Sequence, residues 1–121
     1  MDERKMRGDR GEEAVAVWLR RRGYQLLERQ FRCRYGEIDL IARAGDGTVC
    51  FVEVKTRADS RFAQAREAVT PAKQRRLRTA AALYLASRGG DCPCRFDVAE
   101  VYPGAQGNWE TPEISYITNA F

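Results

Sequence analysis

The sequence predicts an α/β domain, a central mixed β-sheet of about five strands flanked by α-helices in the order αβββαββ. Apolar residues recur at helical spacing over residues 4–22 and again over 70–88. Between them lie two short runs with charges at alternate positions, Gly36-Glu37-Ile38-Asp39-Leu40-Ile41 and Phe51-Val52-Glu53-Val54-Lys55, and a Gly45-Asp46-Gly47 turn joins them into a hairpin. A chain of 121 residues is one domain, 1–121, large enough for a sheet with helices packed on it and too short for two cores.

In the first helix Val15, Trp18 and Leu19, with the small Gly8 and Gly11, fall on one stripe, and Gly23 closes it. Arg20, Arg21 and Arg22 suit the negative end of the helix dipole. Glu12 lies at the edge of the apolar stripe and needs a partner, whereas Glu13 points about 100° further round, toward solvent. Glycines on the stripe let the helix approach the sheet closely and bring Glu12 over its charged face. A first strand follows over 24–32, with Leu26, Leu27 and Phe31 for the core, and then the two acidic strands. Residues 56–69 are polar, with Arg57, Arg61 and Arg66 among them, and receive no element. Thr70 caps the second helix, Pro71 takes its first position, Leu77, Ala81, Tyr84 and Leu85 form its stripe, and Gly89-Gly90 ends it. Its first two turns carry Lys73, Arg75, Arg76 and Arg78; a helix N-terminus disfavours cations, and phosphate binding supplies a reason for them. Strands over 95–101 and 113–117 complete the sheet, and Trp109 in the loop between them is expected to cover core.

The chemistry concentrates in the acidic hairpin. Residues two apart in a strand share a face, so Asp39 lies with Glu37, and Glu53 with Lys55. With the turn centred on Asp46 and Gly47 left-handed, Asp39 pairs opposite Glu53 and Glu37 opposite Lys55. Carboxylates about 5 Å apart repel by about 3 kcal/mol at an effective dielectric near 20. A hard divalent cation such as Mg²⁺, with Mn²⁺ as substitute, turns that repulsion into attraction. Solvated charges on an open sheet face explain the alternation but give no reason for opposing two acids.

Composition narrows the possibilities. The 21 Lys+Arg against 17 Asp+Glu give a net charge of +4 and favour a polyanionic partner. Arg34, Arg57, Arg66, Lys73 and Arg76 surround the acids, and a small acidic spot ringed by base is what cleavage of nucleic acid requires. The absence of histidine excludes Ser-His-Asp hydrolysis, histidine-ligated zinc and histidine general-base nucleases. Cys33, Cys50, Cys92 and Cys94 lack metal-binding spacing and are expected as thiols. No apolar run approaches the ~20 residues that span a bilayer, and no signal peptide is evident, so a cytoplasmic location without membrane association is expected.

Glu12, Asp39, Glu53 and Lys55, in that order, resemble the acid, acid-x-lysine motif of restriction-endonuclease-like nucleases. The longer string is similar to the small bacterial YraN-type proteins: Gly11-Glu12 with Ala14, Gly23-Tyr24, Gly36 to Ile41, Phe51 to Arg57, Glu67-Ala68-Val69 through Lys73, Arg76 and Leu77, Arg95-Phe96-Asp97-Val98 and Asn119-Ala120-Phe121. That family is grouped by fold with archaeal Holliday-junction resolvases. Ala63 stands where the family often has glycine and Tyr116 where a histidine is frequent; neither touches the acid-lysine set. The resemblance implies a restriction-endonuclease-like core in which Asp39 and Glu53 are metal ligands, Glu12 completes the metal shell and Lys55 stands beside the attacking water. The backbone carbonyl of Val54 is a further ligand on this scheme. The implied activity is that of a Mg²⁺-dependent endonuclease on DNA, branched or junction DNA included; a symmetric cut would need a homodimer, and a helicase or recombination protein is an expected partner. The alternative is a catalytically silent or partner-dependent DNA-binding adaptor with the same fold.

Overall fold

The computed structural model describes residues 3–57, 69–90 and 92–121. Its elements follow the expected order: α1 (Glu3–Arg21), β1 (Gln25–Cys33), β2 (Gly36–Arg43), β3 (Val49–Thr56), α2 (Pro71–Ser87), β4 (Cys94–Tyr102) and β5 (Glu113–Ile117). The strands form one sheet in spatial order β1-β2-β3-β4-β5, antiparallel except for the parallel pair β3 and β4. Parallel neighbours need a long crossover, and α2 lies within it.

Helices on both faces divide the core. Val15 and Leu19 of α1 pack on Leu40, Ala42, Cys50, Val52, Ala99 and Val101, with Trp18 and Trp109 at the margin. Leu77, Ala80, Ala81 and Tyr84 of α2 cover Ile41, Phe51, Phe96 and Val98 on the other side. Successive strand residues therefore all find apolar cover, which is why β3 reads Val-Cys-Phe-Val before its charges begin. In β1 the register slips by one residue between Leu26 and Glu28. Leu26 accordingly joins the α1 side while Leu27 and Phe31 join the α2 side.

The punctuation follows the sequence. Thr70 Oγ1 accepts from the Lys73 N–H, Pro71 opens α2, and left-handed Gly89 and Gly90 follow its last turn. Ala44 donates to Thr48 across Gly45-Asp46-Gly47, Gly47 has φ +92°, and the Thr48 N–H is held by Asp46 Oδ1. Arg22 lies over the Trp18 ring at 3.8 Å, so at least one of the arginines ending α1 has a structural use.

One buried acid is purely architectural in its surroundings. Asp97 is fully buried and accepts from Arg95 Nε (3.1 Å), Tyr116 OH (2.6 Å) and the Asn119 N–H (2.9 Å), while Arg95 also donates to Tyr24 OH. This network ties β5 and the residues after it onto β4, where Phe121 stacks on Phe96.

Gly11 is the point at which α1 meets the sheet. A Cβ there would overlap Thr56 Oγ1 of β3, so only glycine permits the approach. Gly11→Ala should cost about 1–2 kcal/mol in urea unfolding, overpacking outweighing the helix propensity gained. Thr56→Ala in the same chain should restore most of it; an unchanged midpoint for the single variant would contradict the close approach.

Candidate functional site

The β2–β3 ladder runs from Arg43↔Val49 to Leu40↔Val52 and ends there. The expected register holds over these four pairs, and Asp39 and Glu53 follow just beyond the last of them, where Glu53 acts electrostatically on Asp39. The Val54 N–H donates to Asp39 Oδ2 at 2.8 Å in place of a ladder bond. Burial, and then the negative charge of Glu53, push the Asp39 carboxyl up to about 7; the Val54 hydrogen bond opposes this, and Glu12 and Glu37 add smaller upward pushes.

Glu53 is buried and draws cations to itself. Its Oε1 meets Lys73 Nζ at 2.5 Å and Lys55 Nζ at 3.4 Å. A buried carboxylate needs such partners, and the contact offsets the cost of Lys73 in the first turn of α2. Burial and the nearby Lys73 hold Lys55 below the ordinary lysine value. Burial also pulls Lys73 down, but its bonds to Glu53 and Lys55 and the charge of Glu53 outweigh this and hold it above that value.

Glu12 is half-buried, as its place beside the apolar stripe predicts, and Glu13 is exposed and pairs with Arg29. Glu12 Oε1 accepts from Gln30 Nε2 at 3.1 Å. Burial raises the Glu12 carboxyl above its ordinary value, and the Gln30 bond draws it back. Gln30 itself was not visible as a site residue from its type. It lies between Arg29↔Leu40 and Phe31↔Ile38, hence opposite Asp39, and its φ of +52° is a left-handed conformation uncommon for glutamine. The signal that could have found it is the two-residue Arg34-Tyr35 turn, from which counting back across the strands places Gln30 against Asp39.

Other expectations need correction. Among the described residues no group of three acids or cysteines could hold one metal ion, so the expected three-acid cluster reduces to Asp39 with Glu53 while Glu12 is bonded to Gln30. Glu37 does not reach Lys55; the ladder has ended, and Glu37 pairs with Arg32 of β1 at 3.6 Å. Arg57 turns toward buried Glu100 of β4, with Nε 3.7 Å from Oε2, and not toward a solvent-facing phosphate site. Arg66 lies outside the described residues. Arg34, Lys73 and Arg76 do line one cleft with Asp39 and Glu53, of about 470 Å³, and Tyr35 stands at its margin. The cleft thus has acids and bases within one wall, a geometry suited to a phosphate ester together with a hard cation.

An open mixed sheet covered by helices on both faces, with an acid pair and a lysine pair where two strands part, defines an α/β domain that agrees with a restriction-endonuclease-like core. Residues 11–101 match the model described as Uncharacterised protein family UPF0102, and the chain belongs to that family. It is 54% identical over 115 residues to a UPF0102 protein of Symbiobacterium thermophilum, covering 94% of each chain. A UPF0102 protein of Nitrosomonas europaea is 47% identical over 115 residues, 95% of this chain and 92% of that one. One from Cupriavidus necator is 50% identical over 99 residues, covering 82% and 76%. The resemblance to YraN-type proteins is borne out by these matches. Among the described residues no helix is long and apolar enough to cross a membrane.

The raised Asp39 carboxyl has a measurable consequence. Folding lifts its pKa from 3.8 to about 7, so the folded chain holds the extra proton between those values and stability falls as pH rises through that window. Asp39→Asn, which stays neutral, should melt close to the wild type near pH 4 in chelator and roughly 3–8 °C higher at pH 8. A variant less stable at pH 8 would show that the ionised carboxylate is not the destabilising group.

Proposed function

We propose that this protein is a metal-dependent nuclease that hydrolyses phosphodiester bonds of DNA. The supporting observation is half-buried Asp39 beside buried Glu53, just past the end of the β2–β3 ladder, in a cleft walled by Arg34, Lys73 and Arg76. An aspartate whose proton affinity is raised by burial and by a neighbouring carboxylate, in a basic cleft, suits a site waiting for a cation. Mg²⁺ is commonly held by one or two carboxylates, its other positions going to water and substrate phosphate. The Asp39 and Glu53 oxygens fit that demand, with the Val54 carbonyl as a further donor and Mn²⁺ as substitute, while Glu12, bonded to Gln30, stands outside this set. Bound there, the ion would polarise the scissile phosphate and lower the pKa of water.

The chain's own groups perform the remaining work. Lys55 Nζ hydrogen-bonds the attacking water and offsets the negative charge that develops on the phosphate. Arg34 and Arg76 hold flanking phosphates through sequence-blind, salt-sensitive contacts. Lys73 exchanges Glu53 for a phosphate oxygen when the site fills. Branched DNA is the substrate suggested by the fold kinship that the YraN resemblance implies, and a symmetric cut across it would use two copies of the chain.

Labelled single-stranded, duplex and four-way-junction DNA incubated with Mg²⁺ or Mn²⁺ should be cut by the wild type and not in chelator. Asp39→Asn should abolish cleavage, and Lys55→Ala should lower the rate roughly 10²-fold or more; cleavage that survives both substitutions rejects the assignment. Lys73 Nζ also occupies the oxygen a cation would use. Lys73→Ala should therefore tighten Mg²⁺ binding in calorimetry while weakening DNA binding, and weakened metal binding would contradict the exchange.

The same lysine cover favours a second reading. With Glu53 neutralised by Lys55 and Lys73, the domain can bind DNA as an adaptor without turnover. Salt-dependent DNA affinity with no heat of Mg²⁺ binding at millimolar metal would select it.

A further inference from the structure

We infer that Tyr35 is a stacking platform for an unpaired base beside the acid pair, which makes single-stranded or locally opened DNA the class of ligand this cleft accepts. The inference deepens the nuclease reading and rests on it for the chemistry of the neighbouring acids.

Tyr35 is 38% exposed and, with Leu83, makes up the exposed large hydrophobics among the described residues. Leu83 lies on α2 away from the basic clefts; Tyr35 lines two of them. It borders the cleft holding Asp39 and Glu53 and also a shallower hollow of about 360 Å³ formed with Ala72, Arg75, Arg76 and Thr79. Tyr35 thus borders both the acids and a patch of arginine.

Its position is built. Cys33 pairs with Gly36, leaving only Arg34 and Tyr35 to make the turn, so the chain has little freedom to withdraw the ring. Gly36 has φ +149°, and a Cβ on it would stand 3.8 Å from Arg76 Cβ, which places the hairpin tip against the first turns of α2. Arg34 Nη2 donates to Tyr35 OH at 2.6 Å, and its guanidinium lies 4.8 Å from the ring centroid. Among the described residues no other ring packs on Tyr35, whereas Phe31, Phe51, Tyr84, Phe96 and Phe121 stack within the core.

An aromatic face held in water at the lip of a basic cleft matches the two surfaces of a nucleotide. The base offers a flat apolar face to the ring, and the phosphates on either side meet Arg34, Arg75 and Arg76. In an intact duplex each base is covered by its neighbours in the stack, so Tyr35 can engage only a base that is unpaired or at an opened step. The same geometry would position the adjoining phosphate over Asp39 and Glu53.

The test is fluorescence anisotropy in chelator, with a labelled single-stranded 12-mer and the blunt duplex of the same sequence. Tyr35→Ala should weaken single-strand binding about tenfold and leave duplex binding within about twofold, and Tyr35→Phe should behave as wild type. One abasic position in the strand should reproduce the loss, with Tyr35→Ala adding nothing further to it. Equal losses on both DNAs, full retention by Tyr35→Ala, or no binding of either DNA would overturn the inference. Chelation separates this from hydrolysis. Tyr35-dependent strand binding by a protein that cuts nothing would leave the stacking site standing and remove the nuclease, and cleavage indifferent to Tyr35 would do the reverse.

Discussion

Two carboxylates brought together past the end of a β-ladder constrain everything around them. Asp39 and Glu53 follow the last β2–β3 pair, Leu40↔Val52, and burial together with the charge of Glu53 makes the Asp39 charge costly. The surrounding structure answers that cost piece by piece. The Val54 N–H serves Asp39, Lys55 and Lys73 cover Glu53, and the cations in the first turns of α2, unfavourable by helix electrostatics, have their explanation across the cleft. On the opposite side Gly11 lets α1 press against Thr56, which brings Glu12 to Gln30 and within electrostatic reach of Asp39.

Buried Asp97 and half-buried Asp39 show two ways of withdrawing an aspartate from water. Asp97 is saturated by donors that cannot leave: an arginine on its own strand, a packed tyrosine and a backbone N–H. Such a group specifies structure and has no spare capacity for a ligand. Asp39 receives the Val54 backbone hydrogen bond and lies between the negative charge of Glu53 and the ammonium of Lys73, and its neighbour's partners are lysine ammonium groups on flexible stems. Groups of that kind can be exchanged for another cation without unfolding anything. The contrast in donors, more than the acidity of either residue, distinguishes a structural acid from one available for chemistry.

Family membership fits this division. The match to UPF0102 over residues 11–101 takes in Glu12, the acidic hairpin, α2 and most of β4. Gln30 and Tyr35 lie inside that span too. Both are placed by the short β1–β2 turn, one against Asp39 and the other at the mouth of the cleft. The hairpin is therefore as much a part of the site as the acids it delivers.

Local information sufficed for much of this. Glycine turns, a Thr-Pro cap, two apolar stripes and alternating charges determined the order of elements, the β2–β3 register from Arg43↔Val49 to Leu40↔Val52 that leads to Asp39 and Glu53, and the half-buried position of Glu12, because each depends on dihedral preference or on residues a few positions apart. Contacts that close over long separations were settled only by the folded chain. Lys73 reads as a surface phosphate ligand along α2 but reaches Glu53 once the crossover lays that helix over the sheet; Arg57 reads as a nucleic-acid contact but turns to Glu100 because β4 runs parallel beside β3. Gln30 meets Glu12 from a left-handed backbone conformation that its residue type does not announce, although the Arg34-Tyr35 turn fixes its place along β1. Propensity and spacing act within a segment, whereas the partner of a long charged side chain is chosen by which segments the sheet and its helices bring together.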